Sequence, residues 1–258
     1  MGLIDSHAHL TDAKLMASID EVLAQSEAAG VEKIITIGMN PGDSRKAVEL
    51  ADRFPNRVYA TAGVHPHEAG KVSEGDLEAL ADLWAHPKVV AIGEIGLDYH
   101  YDFADRSVQR AVFARQLETA STKELPLVIH CREAFADVVS MLHEHGLDNR
   151  PVVFHCFSGG REEAEGLDAH GWRLSLTGVV TFPKSTELQA VAKTYPADKL
   201  MLETDAPYLS PVPKRGKPNE PAYLVHTARF LADLRGESEA ELAVNTRRNT
   251  IEFFQLDR

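Results

Sequence analysis

Seven side chains of metal-binding or acid–base type follow short apolar runs in this chain. His7 and His9 follow Leu3-Ile4, Glu94 follows Val89 to Ile92, His130 follows Leu127 to Ile129, His155 follows Val152 to Phe154, and Glu203 and Asp205 follow Leu200 to Leu202. Residues two apart in an extended chain point to the same side, so His7 and His9 can reach one ion together. Imidazoles favour Zn, Mn, Fe, Ni or Cu over Mg or Ca. A lone His-x-His pair is more often two surface or core histidines; joined to further ligand-type residues on one rim, it reads as a metal centre. Neighbouring parallel strands lie roughly 4.8 Å apart, so His130 and His155 can share an ion. Glu94, on the strand before them, has two oxygens and can bridge two ions. The arrangement groups His7, His9, Glu94 and Asp205 around one ion, and Glu94, His130 and His155 around a second. Two divalent ions roughly 3.5–4 Å apart suit in-line displacement at phosphorus.

Such a grouping requires the apolar runs to be adjacent parallel strands. Eight runs, centred near residues 4, 35, 60, 91, 128, 153, 175 and 201, recur along the chain with room for a helix in each gap. Their continuous hydrophobicity is that of strands buried on both faces. The gaps read as helices over 43–54, 76–84, 105–123, 133–145, 161–170 and 185–193, with two closing helices over 221–234 and 238–254. Ser18 with Glu21, opening a helix that stops at Gly30, and Ser238 with Glu241 read as capping boxes. A doubly wound open sheet is the competing arrangement. Its nucleotide-binding form carries a Gly-rich turn after the first strand, where this chain has His7-Ala8-His9. The pattern predicts an α/β fold, a (β/α)8 TIM barrel. Residues 1–258 would form one domain with functional groups at the C-terminal ends of the strands. The proline-rich stretch from Pro207 to Pro221 is then a long loop on that face.

Composition narrows the class. With 44% apolar residues the chain is not disordered, and two cysteines are too few for a disulfide scaffold. A net charge of −12 argues against a broad nucleic-acid coat and leaves weak, salt-sensitive engagement of a strand end. The first residues lack the features of a secretory signal, and no apolar run approaches the ~18 residues of a membrane span. A cytoplasmic, monomeric protein is expected.

The blocks His7-Ala8-His9, Gly63-Val64-His65-Pro66-His67, Gly93-Glu94-Ile95-Gly96-Leu97-Asp98-Tyr99, His130-Cys131-Arg132, His155-Cys156-Phe157-Ser158-Gly159 and Glu203-Thr204-Asp205-Ala206-Pro207 together resemble the TatD family of metal-dependent hydrolases, among the amidohydrolase-like barrels. The resemblance runs from residue 4 to about 254. It implies metal-dependent hydrolysis of DNA, a deoxyribonuclease of 3'-5' exonuclease-like character. His7, His9, Glu94, His130, His155 and Asp205 are the implied ligands of two divalent ions. Many amidohydrolase relatives bridge their ions with a carboxylated lysine, and Glu94 stands where that bridge is needed. Histidine-rich ligation points to Zn or Mn, whereas the family association points to Mg.

Further residues are candidates around this core. Asp205 can also accept the proton of the attacking water. Glu203 can orient water or a ligating histidine, or be a structural acid at the rim. His65 can hydrogen-bond a phosphate oxygen or be structural, and His67 is unassigned. Arg132 reads equally as a phosphate contact or as half of a salt bridge to a rim acid. Lys214, Arg215 and Lys217 either grip a nucleic-acid backbone or are a solvated loop. Cys131 and Cys156 read as inert buried thiols, Trp84 and Trp172 as packing residues, and Arg247 and Arg248 as solvated or paired side chains. Two other functions compete. The same centre could open an amide, ester or lactone, an aminoacyl-tRNA ester included, or the fold could be a binding module that retains a metal-shaped pocket.

Overall fold

The structure is a computed structural model describing residues 2–101 and 103–256. Eight parallel strands pair in chain order: β1 (Leu3–Ala8), β2 (Val31–Thr36), β3 (Val58–Ala62), β4 (Val89–Asp98), β5 (Leu127–Arg132), β6 (Val152–Phe154), β7 (Arg173–Leu176) and β8 (Leu200–Leu202). The chain beyond β8 returns to β1 through a parallel bridge between Ala8 and Ala206. There the Asp205 N–H donates to the His7 carbonyl at 2.9 Å, which closes the sheet into a barrel. The helices are α1 (Ala13–Met16), α2 (Ile19–Ala28), α3 (Pro41–Arg53), α4 (Glu74–Leu83), α5 (Arg106–Ala120), α6 (Phe135–Glu144), α7 (Arg161–Ala169), α8 (Thr186–Thr194), α9 (Leu224–Arg235) and α10 (Glu239–Phe254). The predicted α/β barrel is the fold.

Alternation along the strands builds two cores. Ile4, Ile35, Tyr59, Val90, Val128, Val153 and Met201 pack together with Phe253, Phe254 and Leu256. Their strand neighbours Leu3, Ile34, Val58, Val89, Leu127, Val152 and Leu200 belong to the other core, with helix residues such as Val48, Leu117 and Leu142. The first set fills the barrel, stoppered by the end of α10; the second glues strands to helices. Burying one such aromatic or aliphatic side chain stabilises by roughly 1.5–3 kcal/mol.

The strands outrun their apolar cores on the functional side. His7 lies inside β1, Glu94 inside β4 and His130 inside β5. Polar residues there stay in the ladder, with Gly96 opposite His130 and Asp98 opposite Arg132. Gly96 has φ +143°, and a Cβ at that position would collide with the His130 carbonyl. Only glycine lets β4 pass that close to a ligand-bearing strand.

Helix starts follow local chemistry with one correction. Ser238 and Glu241 form the expected reciprocal box, and an unexpected box joins Ser73 and Asp76. Ser18 makes no side-chain cap bond. Its backbone N–H is tied to the Leu15 carbonyl at 3.2 Å by the short α1 just before it, and Glu21 instead accepts from Gln25 at 3.0 Å. The α3 helix opens at Pro41 behind an Asn40 cap, earlier than the predicted Asp43. The first closing helix begins as a 3-10 turn over Pro221–Tyr223.

Candidate metal centre

Six ligand-type side chains meet at the C-terminal mouth of the barrel, around Glu94. This carboxylate is buried, at 1% exposure. Its Oε1 lies 2.8 Å from His130 Nδ1, 2.6 Å from His155 Nε2 and 3.3 Å from His65 Nε2. Its Oε2 faces the other way, 3.3 Å from His7 Nε2. His7 Nε2 is 3.7 Å from Asp205 Oδ1, and His9 Nε2 is 3.1 Å from the same oxygen. The His7 and His155 rings stack with centroids 3.9 Å apart. Two oxygens of one carboxylate thus serve two sets of imidazoles, the arrangement the spacing predicted.

The donor set fits divalent cations. Both ring nitrogens of His7, together with Glu94 Oε2 and His155 Nδ1, are buried without a hydrogen-bond partner. Unpaired buried polar atoms are costly, and two of them, His7 Nε2 and Glu94 Oε2, face each other at 3.3 Å. Coordinating atoms of His7, His9 and Glu94, and of Glu94, His130 and His155, lie within 4.8 Å of one another. In the protein alone, burial pushes the Glu94 carboxyl up, but His155, His65 and His7 outweigh it and hold it well below the usual carboxylate range. An anion pressed among imidazoles is a site prepared for positive charge.

Behind the imidazoles stand carboxylates that fix which nitrogen faces the centre. Asp98 Oδ2 accepts from His130 Nε2 and from His67 Nε2, each at 2.9 Å. With the Nε2 proton directed at Asp98, the His130 Nδ1 lone pair points at Glu94. Asp98 Oδ1 accepts the His100 and Tyr101 backbone N–H groups at 2.9 Å each. Burial raises the Asp98 carboxyl, and the His130 and His67 hydrogen bonds more than reverse this, holding it far below its ordinary value. Glu203 stands similarly behind His155, with Oε1 3.4 Å from Nδ1. Its two oxygens accept from the Cys156 N–H and the Ser175 hydroxyl, each at 2.6 Å. Glu203, a catalytic candidate by sequence, is therefore held by protein donors, and its carboxylate stands beside both His155 and His7, with coordinating atoms of the three within 4.8 Å of one another.

Asp5 has a related structural task that its sequence position does not betray. Wholly buried, it accepts from the Thr204 N–H at 2.9 Å and the Thr204 hydroxyl at 2.5 Å, locking β1 to the Asp205 segment. Burial pushes its carboxyl up to about 7. Asp205 itself adopts φ +56°, a left-handed turn that swings its carboxylate toward His9.

The remaining candidates fall around the rim. His65 Nδ1 accepts the His67 backbone N–H at 3.1 Å, so its proton sits on Nε2 and points into the centre. Burial pushes the imidazole down to about 4, so it is a neutral donor. Arg132 makes no ion pair among the described residues; its guanidinium lies 4.7 Å over the Tyr101 ring. It also lines a cavity of about 330 Å³ that reaches His155, with Phe157, Ser158 and Glu163. Lys214 sits 4.7 Å over the Tyr223 ring and Arg215 3.9 Å over Phe182, and neither bonds to the cluster. Asn219 holds their loop to the barrel by donating to the Thr204 and Tyr208 carbonyls at 2.8 and 2.6 Å. Both cysteines are free; burial pushes the Cys131 thiol up to about 12 and raises Cys156 well above its ordinary value. Trp84 and Trp172 are packed in the core, and Arg247 pairs with Glu32 at 3.3 Å. No helix among the described residues is long and apolar enough to cross a membrane.

Known proteins place this geometry in a family. Residues 4–255 match the family model described as TatD related DNase. The chain is 38% identical over 255 residues to the Bacillus subtilis protein named "Uncharacterized metal-dependent hydrolase YabD", covering 99% of this chain and all of that one. It is 38% identical over 260 residues to the Escherichia coli K12 protein named "3'-5' ssDNA/RNA exonuclease TatD", covering 98% of this chain and 99% of that one. The crystal structure of YJJV, a TatD homologue from Escherichia coli, superposes with a TM-score of 0.93 at 30% identity, covering 98% of each chain. With its barrel, its histidine–carboxylate centre and this end-to-end similarity, the chain belongs to the TatD family of metal-dependent hydrolases, which act on phosphodiester bonds.

Proposed function

We propose that this hydrolase removes nucleotides from single-stranded DNA in a 3'-5' exonuclease-like manner, using two divalent cations that Glu94 and the histidines around it would hold. One observation carries the reading: Glu94 Oε1 faces His130 and His155 while Oε2 faces His7. His7, His9, Glu94 and Asp205 would hold one ion, and Glu94, His130 and His155 the other. Imidazole-rich ligation favours Mn or Zn, although Mg is compatible with the carboxylates. When bound, the pair supplies Lewis acidity that lowers the pKa of water and stabilises charge on the attacking and leaving oxygens.

The chain's own residues do the rest. Asp205 uses Oδ1 toward His9, which leaves Oδ2 to take the proton of the attacking water. The neutral His65 offers its Nε2–H to a nonbridging phosphate oxygen, which grows more negative in the transition state. Arg132 gives a positive contact beside the centre, and Lys214 and Arg215 meet the strand farther out. Glu203 and Asp98 keep His155 and His130 in the tautomers that ligation needs. The name of the Escherichia coli relative supports the choice of substrate and polarity.

The test is a time course on a 5'-labelled single-stranded oligonucleotide with Mn²⁺, Mg²⁺ or Zn²⁺. A ladder shortening from the 3' end, abolished by EDTA and by Glu94→Gln, is expected. Cleavage that survives EDTA, or faster turnover of carboxylic esters than of phosphodiesters, would overturn the reading.

A further inference from the structure

The segment joining β4 to α5 carries an aromatic surface that folding does not require. Phe103 is 67% exposed, the most of any large hydrophobic residue described, and Tyr101 is 41% exposed. Their rings stack on each other with centroids 5.5 Å apart and planes 28° from parallel. Phe103 meets His67 edge-on at 4.7 Å, and His67 lies 5.9 Å from His130, ring to ring. Two ring contacts therefore join the exposed pair to a candidate metal ligand. The Arg132 guanidinium lies over the Tyr101 ring at 4.7 Å, so the patch is cationic as well as aromatic. Its backbone is held firmly, because Asp98 fixes the Tyr101 N–H and Gln109 Nε2 donates to the Asp98 and Ala104 carbonyls at 2.9 Å each. Half a barrel away, Tyr208 is 49% exposed, with its ring 5.8 Å from His9.

Rigid, exposed aromatic rings beside an arginine are the elements of a base-stacking platform, which tolerates any base because every base has a π face. An exposed apolar patch that touches the site, and is not needed by the core, calls for a ligand with a flat apolar face. We propose that Tyr101 and Phe103 receive an unpaired base of the strand being cut, while Arg132 meets the adjoining phosphate. The occupant is single-stranded nucleic acid: the patch continues into the phosphodiester site through His67, and the Arg132 guanidinium supplies a positive charge for a phosphate. A base inside a duplex already has both faces stacked and cannot use the platform, which directs the site to unpaired strand ends. This inference rests on the nuclease reading above.

Two measurements separate the platform from that reading. The first compares KM for a single-stranded oligonucleotide with KM for the same strand bearing abasic residues at its three 3'-terminal positions. Stacking of one base at the usual strength raises KM about tenfold on loss of the base in the wild type. The Tyr101→Ala/Phe103→Ala variant should show about that rise with the normal strand and little further change with the abasic one. Phe103→Trp should restore discrimination. The second follows fluorescence of a 2-aminopurine near the 3' end, titrated with protein in EDTA so that no turnover occurs. Quenching by the wild type, lost in the double variant, is expected. Both side chains are exposed, so the variants should fold, and near-ultraviolet circular dichroism checks this. A wild type that hydrolyses no oligonucleotide refutes the nuclease reading. Quenching and KM unchanged in the double variant refute the platform whether or not hydrolysis occurs.

Discussion

Replacing Asp98 by Asn probes how the centre is held without removing a ligand. Asp98 Oδ2 accepts from His130 and His67, and Oδ1 accepts two backbone N–H groups. Asparagine can keep the two backbone bonds through its carbonyl oxygen. Its NH2 group then faces His130 Nε2, which must become an acceptor, and the imidazole proton moves to Nδ1. That atom lies 2.8 Å from Glu94 Oε1, where a cation needs a lone pair. A hydrogen bond to a charged group contributes about 1.5–3 kcal/mol, and losing one such bond corresponds to roughly a 10–100-fold loss. That range matches the typical effect of removing a carboxylate behind a metal-bound histidine. Calorimetric titration of the metal-free variant with Mn²⁺ should therefore show the Glu94–His130–His155 site weakened 10–100-fold, with the fold intact by circular dichroism. Activity should recover partly as Mn²⁺ is raised. A variant that binds both ions within twofold of the wild type would refute the reasoning, because Asp98 would then not set the His130 tautomer.

Other consequences are simpler to check. Ser238→Ala removes the cap bond to the Glu241 N–H and should cost about 1 kcal/mol, lowering Tm by about 2–4 °C in a thermal scan. With the Cys131 thiol pushed up to about 12, its thiolate fraction at pH 8 is smaller than that of a free cysteine by a factor on the order of a thousand. Iodoacetamide at pH 8 should leave both thiols intact by mass spectrometry, with alkylation increasing as pH rises; complete labelling within minutes would contradict this. Because the folded chain gathers the candidate ligands and the unfolded chain does not, Mn²⁺ at a hundred times its dissociation constant should stabilise the protein by about 2.7 kcal/mol for each ion held. EDTA should reverse that gain in a denaturant melt.

The barrel and the cluster of histidines and carboxylates at its mouth were legible because their signals are local or periodic. Continuous apolar runs mark strands buried on both faces, and the residue that ends such a run in a barrel faces the mouth. His7, Glu94, His130, His155 and Asp205 could be assembled from that rule alone. What the sequence hid depends on contacts between distant segments. Asp98 stood inside a recognisable block, yet its purpose depends on His67, 31 residues away, and on His130, 32 residues away. Asp5 sits in an apolar strand and matters because Thr204 lies across the barrel seam, 199 residues on. Ser18 and Glu21 had the pattern of a capping box, but the short α1 took up the serine's backbone N–H, and its side chain makes no cap bond. The exposure of Tyr101 and Phe103 could not be read either, since an aromatic residue in a loop packs inward as readily as it stands in water. The placement of the Arg132 guanidinium over the Tyr101 ring was likewise hidden, because it depends on where the segment after β4 comes to lie.

The central claim is that Glu94 joins two cations into one hydrolytic centre. Equilibrium dialysis of the metal-stripped protein against Mn²⁺, with metal counted per chain, tests it most directly. The account predicts two tightly held ions per wild-type chain. In Glu94→Gln both should weaken, because the amide puts an NH2 group where one half of the centre needs an oxygen and removes the negative charge that both halves share. One ion per wild-type chain, or a Glu94→Gln chain that still holds two as tightly, would contradict it.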